Sequence, residues 1–142
     1  MKVLDFSDWL MLVNNEMTAI YSKEELDSHC TCPWCRNFYL TVDAQYPNLR
    51  YFLSQFGLMI EAPESLLPIT NDLVQASYTV EGRILRHGCE PIFIDGVAIT
   101  PEPEVDCEAF TLQLGLMELP WVLEEDKKDA SSPCGIFGFL SN

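Results

Sequence analysis

The apolar residues change their spacing near Pro68, and this change limits the fold more than any other feature of the sequence. Before Pro68 two stretches show helical spacing, whereas after it apolar and polar residues alternate as in strands. The 142 residues, 48% of them hydrophobic, are enough for one core without disulfides. We therefore predict an α+β domain over residues 1–123, in which two or three helices follow the N-terminal hairpin of an antiparallel sheet. An acidic and then apolar tail is predicted over residues 124–142.

Two packed helices are predicted in the middle of the chain. Pro33 suits the first position of a helix, which places Cys32 at the N-cap. Pro47 ends this helix and begins the next one, and Gly57 is suited to a left-handed ending. The apolar stripe of the second helix comprises Leu49, Phe52, Leu53 and Phe56.

The N-terminal part of the chain predicts a β-hairpin. Two short apolar runs, at residues 9–13 and 18–21, are separated by the turn-prone residues 14–17. Ser22 is followed three residues later by Glu25 in the form of a capping box, which predicts a short helix after the hairpin.

Short strands are predicted throughout the part of the chain after Pro68. Glu81-Gly82 is typical of a turn, and residues 101–104 predict an extended acidic loop. Asp95-Gly96 predicts the clearest hairpin, because this dipeptide supplies the positive φ angles of a type I′ turn. The predicted short strands cover residues 74–80, 84–85, 92–94 and 97–99, and a long strand is predicted from residue 110 to near Pro120.

The charge of the chain excludes some classes of partner. Eight Lys and Arg residues stand against 22 Asp and Glu residues, which gives a net charge of −14. Such a surface repels the phosphates of nucleic acids and anionic membrane faces, whereas it attracts basic proteins. No apolar run reaches the roughly 18 residues of a membrane span, and Asp5 and Asp8 interrupt the N-terminal apolar stretch, so we expect a cytoplasmic protein without a secretory signal.

Three of the six cysteines lie within six residues of one another. The six are Cys30, Cys32, Cys35, Cys89, Cys107 and Cys134. In a reducing compartment such crowding indicates a metal site, a redox motif or buried thiols. Zinc takes four thiolate or imidazole donors, and a Cys-x-x-Cys pair at a helix start can supply two of them. We predict a structural zinc site at Cys32 and Cys35, completed by His29 or by Cys89.

The Cys-Pro-Trp-Cys run at residues 32–35 resembles the active-site motif of thioredoxin-like and glutaredoxin-like oxidoreductases. Residues 90–96 resemble the segment in which those proteins hold a cis-proline against the dithiol. The resemblance implies that Cys32 is the nucleophile, Cys35 the resolving thiol and Pro91 the proline that positions the substrate. In that family a strand leads directly into the two cysteines, whereas the residues before Cys32 predict helix and loop.

A second resemblance covers more of the chain, from residue 9 to residue 123. The motif His-x-x-Cys-x-x-Cys-Arg-Asn-Phe-Tyr at 29–39, Tyr46-Pro47 and the closing run Glu-Leu-Pro-Trp-Val-Leu at 118–123 resemble a family of small uncharacterised bacterial proteins. This resemblance implies a bacterial, intracellular, single-domain protein and carries no known reaction.

Three functional hypotheses follow from the sequence. The first is a non-enzymatic module that binds a basic protein, with a metal ion as a possible stabiliser. The second is a thiol–disulfide oxidoreductase that uses Cys32 and Cys35. In the third, all six cysteines are structural. The sequence leaves the oligomeric state open.

Overall fold

The structure, a computed structural model, describes residues 1–70, 73–105 and 107–123. Its elements are β1 (Lys2–Phe6), β2 (Trp9–Val13), α1 (Asn15–Asp27), α2 (Pro33–Gln45), α3 (Pro47–Ser54), β3 (Ser65–Pro68), β4 (Leu73–Arg86), β5 (Ile92–Ile94), β6 (Val97–Pro103) and β7 (Ala109–Glu118). The strands form one antiparallel sheet in the order β1-β2-β4-β7-β6-β5, and β3 also pairs with β4. The predicted α+β fold, with an N-terminal hairpin before the helices, is therefore confirmed. The predicted tail over 124–142, which includes Cys134, lies outside the described residues.

The N-terminal hairpin is present, and residues 9–13 form one of its strands as predicted, but the second strand is β1 and not residues 18–21. β1 pairs with β2 from Lys2 opposite Val13 to Phe6 opposite Trp9. Residues 18–21, predicted as a strand, lie in α1. The carboxamide of Asn14 accepts a hydrogen bond from the N–H of Met17, and this contact caps a helix where a turn was predicted. The capping box predicted at Ser22 is also wrong, because Ser22 is buried inside α1 and does not cap a helix.

β4 is longer than the alternation of its residues predicts. The predicted turn at Glu81-Gly82 is wrong, because the strand runs through Gly82, whose φ is 152°. A Cβ at this position would lie 2.0 Å from the carbonyl oxygen of Leu12 in β2, so the glycine allows β4 to approach β2 closely.

The acidic loop predicted at 101–104 is also wrong in part. Residues 101–103 belong to β6. β5 pairs with β6 only as far as Ile99, so beyond that residue this edge of β6 is open, and an open edge tolerates proline.

The two central helices are confirmed, and they pack on the sheet. α2 begins at Pro33 with Cys32 as N-cap, and α3 begins at Pro47. Gly57 follows with a φ of 90°, as predicted. The core joins both helices to β2, β4, β6 and β7, and its largest fully buried side chains include Phe38, Phe52, Phe56, Tyr78 and Phe110.

The Asp95-Gly96 hairpin between β5 and β6 is confirmed, and it also contacts the start of α3. Both residues have positive φ angles, 53° and 80°. The Asp95 carboxylate accepts hydrogen bonds from the N–H groups of Asn48 and Leu49, at 2.9 and 3.1 Å, and from the Asn48 carboxamide at 2.8 Å. The hairpin therefore caps the N-terminus of α3. The Asn48 side chain is the main reason that the pKa of Asp95 lies below its ordinary value of 3.8.

Replacement of this cap is expected to destabilise the protein in a pH-dependent way. Asp95→Asn keeps a residue that tolerates positive φ but removes the carboxylate, and it should lower the free energy of unfolding by about 1 kcal/mol near neutral pH. Because the folded pKa is lowered, the carboxylate stabilises the protein above its ordinary pKa, and this contribution is lost as the pH falls through the folded pKa.

Urea unfolding at neutral and at acid pH measures this difference. The difference between wild type and Asp95→Asn should shrink as the pH falls through the lowered pKa of Asp95. Asp43→Asn is the matched control, since Asp43 is an exposed carboxylate that pairs with Arg50 at 3.1 Å, and such pairs contribute little. An equal loss in both variants would contradict the capping role.

Candidate metal centre

Three cysteines converge where α1 leads into α2. Cys30 lies in the loop after α1, Cys32 is the N-cap of α2, and Cys35 lies in the first turn of that helix. Their sulfur atoms all lie within 4.8 Å of one another. Tetrahedral zinc with Zn–S bonds of about 2.3 Å separates its sulfur ligands by about 3.8 Å, so the group needs to close by only about 1 Å. The cluster could therefore hold a metal ion such as zinc.

The local sequence brings the three thiols together. Cys32 has extended angles, φ −64° and ψ 159°, and Pro33 then starts the helix, so that Cys35 follows within one turn. The Arg36 guanidinium donates from Nε to the carbonyl oxygen of Thr31 at 2.9 Å, which ties the cysteine loop to α2. The loop geometry is thus set by residues inside the motif itself.

Two backbone features face the sulfur atoms. The N–H of Cys32 donates a hydrogen bond to the sulfur of Cys30 at 3.4 Å. The positive end of the α2 dipole lies at Cys32, the N-cap. Metal binding requires deprotonated cysteine, and a helix N-terminus is a suitable place for negatively charged ligands.

His29 lies beside the cysteines with one ring nitrogen already assigned. Its Nδ1 lies 2.6 Å from the carbonyl oxygen of Leu26, which can only accept, so in the tautomer that satisfies this contact the Nδ1 atom carries the proton and Nε2 is the nitrogen that can face a metal ion. The ring packs edge-on against Tyr39, with centroids 4.4 Å apart. His29 lines a cleft of about 380 Å³ together with Cys30 and Cys35. Metal-ligating histidines usually donate their other ring N–H to a carboxylate, a backbone carbonyl or water, and His29 meets this condition.

The structure brings only some of the four predicted ligands together. Cys32 and Cys35 belong to the sulfur group, whereas His29 borders it and Cys89 is not a member. The N–H of Cys89 donates to the Asp8 carboxylate at 2.9 Å, at the turn between β1 and β2. This hydrogen bond is the main cause of the lowered pKa of Asp8.

Cys30 was not part of the predicted ligand set, although its sulfur belongs to the group. The signal that could have found it is the Cys-x-Cys spacing of Cys30 and Cys32. Only Thr31 lies between the two cysteines, and in extended backbone the side chains of residues i and i+2 point to the same side. The group found is therefore Cys-x-Cys-x-x-Cys.

The structure also places the residues to which the oxidoreductase resemblance assigns roles. Cys32 and Cys35 have adjacent sulfurs, as a dithiol requires. The chain before Cys32 is the helix α1 and a loop, where the resemblance implies a strand. Pro91 is exposed and directly precedes β5, which pairs with β6 in the described part of the sheet.

A buried asparagine joins α2 to the chain that leaves β7. The Asn37 carboxamide donates to the carbonyl oxygen of Pro120 at 3.0 Å and accepts from the N–H of Val122 at 2.9 Å. Trp34 packs edge-on against Trp121 at 5.3 Å nearby. The two segments that carry the bacterial resemblance, at 29–39 and 118–123, therefore contact each other, and this contact holds α2 in place behind the cysteines.

Comparisons with protein-family models, with curated proteins and with solved structures give no match for this chain. The resemblance to small bacterial proteins therefore stays a prediction. Among the described residues, no helix combines the length and the apolar content that a membrane span requires. The cysteine group and its surroundings are the features of the chain that bear on function.

Loss of the Asn37 carboxamide is expected to be costly. Asn37→Ala leaves the carbonyl of Pro120 and the N–H of Val122 without these partners, which should lower the free energy of unfolding by about 2 kcal/mol. Gln45→Ala, at an exposed position of the same helix, should change it by less than about 0.5 kcal/mol. Chemical denaturation of both variants measures the difference, and equal stability of the two would refute the role of Asn37.

Proposed function

We propose that this protein is a small, acidic, non-enzymatic binding module that is stabilised by a structural zinc ion. The observation that carries the proposal is the group of three sulfurs within 4.8 Å at the start of α2. Cys30, Cys32 and Cys35 are the proposed thiolate ligands. Zinc is favoured over harder cations because thiolate donors select zinc among the common metals of the cell.

His29 is the proposed fourth ligand. Its Nε2 is the unprotonated nitrogen, because Nδ1 donates to the carbonyl of Leu26. The residue is exposed and lies in the loop next to Cys30, so its ring can approach the sulfurs with small changes of the loop. The resulting Cys₃His set is a common structural zinc site.

A closed set of four protein ligands supports a structural role. Catalytic zinc keeps a coordination position for water or substrate, whereas four protein donors fill the tetrahedron. The ion would then connect the end of α1 to the start of α2 and stabilise the loop between them. The net charge of −14 supports a basic protein as the binding partner, because long-range attraction speeds the association of oppositely charged surfaces.

Metal content and thermal stability test the zinc site. Protein purified without chelator should carry about one zinc per chain, and removal of the ion should lower the melting temperature by about 10 °C, because zinc binds the folded state. Single substitutions Cys30→Ser, Cys32→Ser, Cys35→Ser and His29→Gln should each reduce the zinc content. Cobalt(II), bound in place of zinc, should show sulfur-to-metal absorption that decreases with each cysteine removed.

Two exposed cysteines provide the matched controls. Cys89→Ser and Cys107→Ser should retain full metal content and the cobalt spectrum, because neither sulfur belongs to the group at α2. A metal content near zero in the wild-type protein would overturn the zinc proposal. Loss of metal in Cys89→Ser would instead restore the ligand set that the sequence predicts.

The alternative function is a thiol–disulfide oxidoreductase, favoured by the adjacent sulfurs of Cys32 and Cys35 at a helix N-terminus. The Cys32 thiolate would attack a substrate disulfide and release one substrate thiolate. Cys35 would then attack the mixed disulfide at the Cys32 sulfur, releasing the second thiol. The substrate gains two electrons, and the Cys32–Cys35 dithiol is oxidised.

The same preparations distinguish the two functions. Metal-free protein in which Cys32 alkylates rapidly at neutral pH, and reduces a model disulfide peptide, would favour the oxidoreductase. Cys32→Ser should abolish that reduction. Slow alkylation together with bound zinc, and no disulfide reduction after the metal is removed, would favour the structural site.

A further inference from the structure

α1 presents its apolar side chains to the outside. Met17, Ile20 and Tyr21 follow the i, i+3, i+4 spacing of one helix face, and they are 37%, 52% and 43% exposed. The buried residues of α1 are instead Thr18 and Ser22. A helix on a protein surface normally turns its apolar side inward, so α1 has the reverse orientation. We call Met17, Ile20 and Tyr21 the α1 face.

Hydrogen bonds hold α1 in this orientation. The Thr18 hydroxyl donates to the carbonyl oxygen of Asn14 at 2.8 Å and accepts from the N–H of Glu81 at 3.0 Å. The Ser22 hydroxyl accepts from the N–H of Met59 at 3.0 Å. The two hydroxyls thus accept hydrogen bonds from backbone N–H groups at the edge of β4 and in the loop after α3. Polar groups in partly buried positions require such partners. Rotation of α1 to bury its apolar face would leave these donors unsatisfied.

An acidic cleft lies next to the α1 face. It has a volume of about 420 Å³, and Tyr21 belongs to both the face and the cleft. The described residues that line it include four glutamates and no lysine or arginine; the glutamates are Glu24, Glu25, Glu64 and Glu81. Partial burial raises the pKa of Glu64, and repulsion by Glu25 and Glu104 adds to the increase. A cationic group in the cleft would relieve this repulsion.

We propose that the α1 face and the acidic cleft together bind a basic amphipathic helix of a partner protein. The apolar side chains of that helix would cover Ile20 and Tyr21, and its lysines or arginines would enter the cleft. Charge complementarity selects this occupant, because an apolar strip beside a group of carboxylates matches a segment with apolar and cationic sides. A second copy of this chain would bring a further net charge of −14 to the same surface.

This inference deepens the binding part of the proposed function and rests on it, but the zinc ion is not required for it. The cleft beside the cysteines shares Glu25, Ser28 and Glu64 with the acidic cleft. A metal ion at α2 would therefore stabilise one wall of the docking site. Metal content is measured on every sample, so that a failure of the docking site and a failure of the zinc site are told apart.

Fluorescence anisotropy with a synthetic peptide tests the site. The probe is a labelled helical peptide with leucine on one face and lysine on the other, and the control peptide has glutamate in place of lysine. The lysine peptide should bind and the glutamate peptide should not. Glu25→Gln combined with Glu64→Gln should weaken binding about tenfold.

Charge-matched controls locate the binding. Glu90→Gln combined with Glu102→Gln removes the same charge from exposed positions outside the cleft and should weaken binding less than about twofold. Ile20→Ser should weaken binding about tenfold, whereas Leu40→Ser, at an apolar position of α2 that is 66% exposed, should not. All four sets of positions are at the surface, and melting temperatures confirm that the variants fold.

Several results would overturn the inference. Equal weakening by the two glutamate pairs would show diffuse electrostatic attraction without a site. Binding that Ile20→Ser leaves unchanged would exclude the α1 face. Concentration-dependent dimers that Ile20→Ser dissociates, measured by sedimentation, would identify a second copy as the occupant. Failure of the peptide to bind zinc-loaded protein would refute the docking site while leaving the metal centre intact.

Discussion

The continuous pairing of β4 is the interaction on which the rest of the structure depends. One edge of this strand pairs with β7, and the other edge pairs with β3 near its start and with β2 near its end. The path of β4 past β2 requires a glycine, since any side chain at Gly82 would meet the carbonyl of Leu12. Between the stretches that pair with β2 and with β3, this edge of β4 has no partner strand among the described residues. α1 packs there, and its Thr18 hydroxyl accepts a hydrogen bond from the N–H of Glu81. The sheet therefore sets the position of the first turn of α1.

The proposed metal site and the proposed docking site both follow from this arrangement of α1. Its C-terminal end delivers His29 and Cys30 to the start of α2, and its side toward β4 forms the acidic cleft. Asn37 holds α2 against the chain after β7, so the second half of the cysteine motif has a firm support. A zinc ion would connect the two helices where the protein has only a short loop, and it would stabilise one wall of the proposed docking site.

Local signals were sufficient for part of the fold. Pro33 and Pro47 set the starts of α2 and α3, and Asp95-Gly96 set a hairpin, because each of these acts on the backbone of its own few residues. Residues 18–21 of α1 were predicted as a strand because they form a short apolar run. The cap at Asn14 is local, whereas the orientation of the helix depends on the hydrogen bond from the N–H of Glu81 to the Thr18 hydroxyl, two residues that are far apart in sequence.

By itself, the sequence determined the α+β class, the central helices, the excess of negative charge and the presence of a dithiol at a helix start. Each is a property of composition or of residues within one helical turn. Only the tertiary structure decided that Cys30 joins Cys32 and Cys35, that Cys89 lies at the β1–β2 turn, and that α1 faces outward. The physical reason is that convergence of side chains depends on the path of the backbone between them, and that path is set by long-range strand pairing and hydrogen bonds.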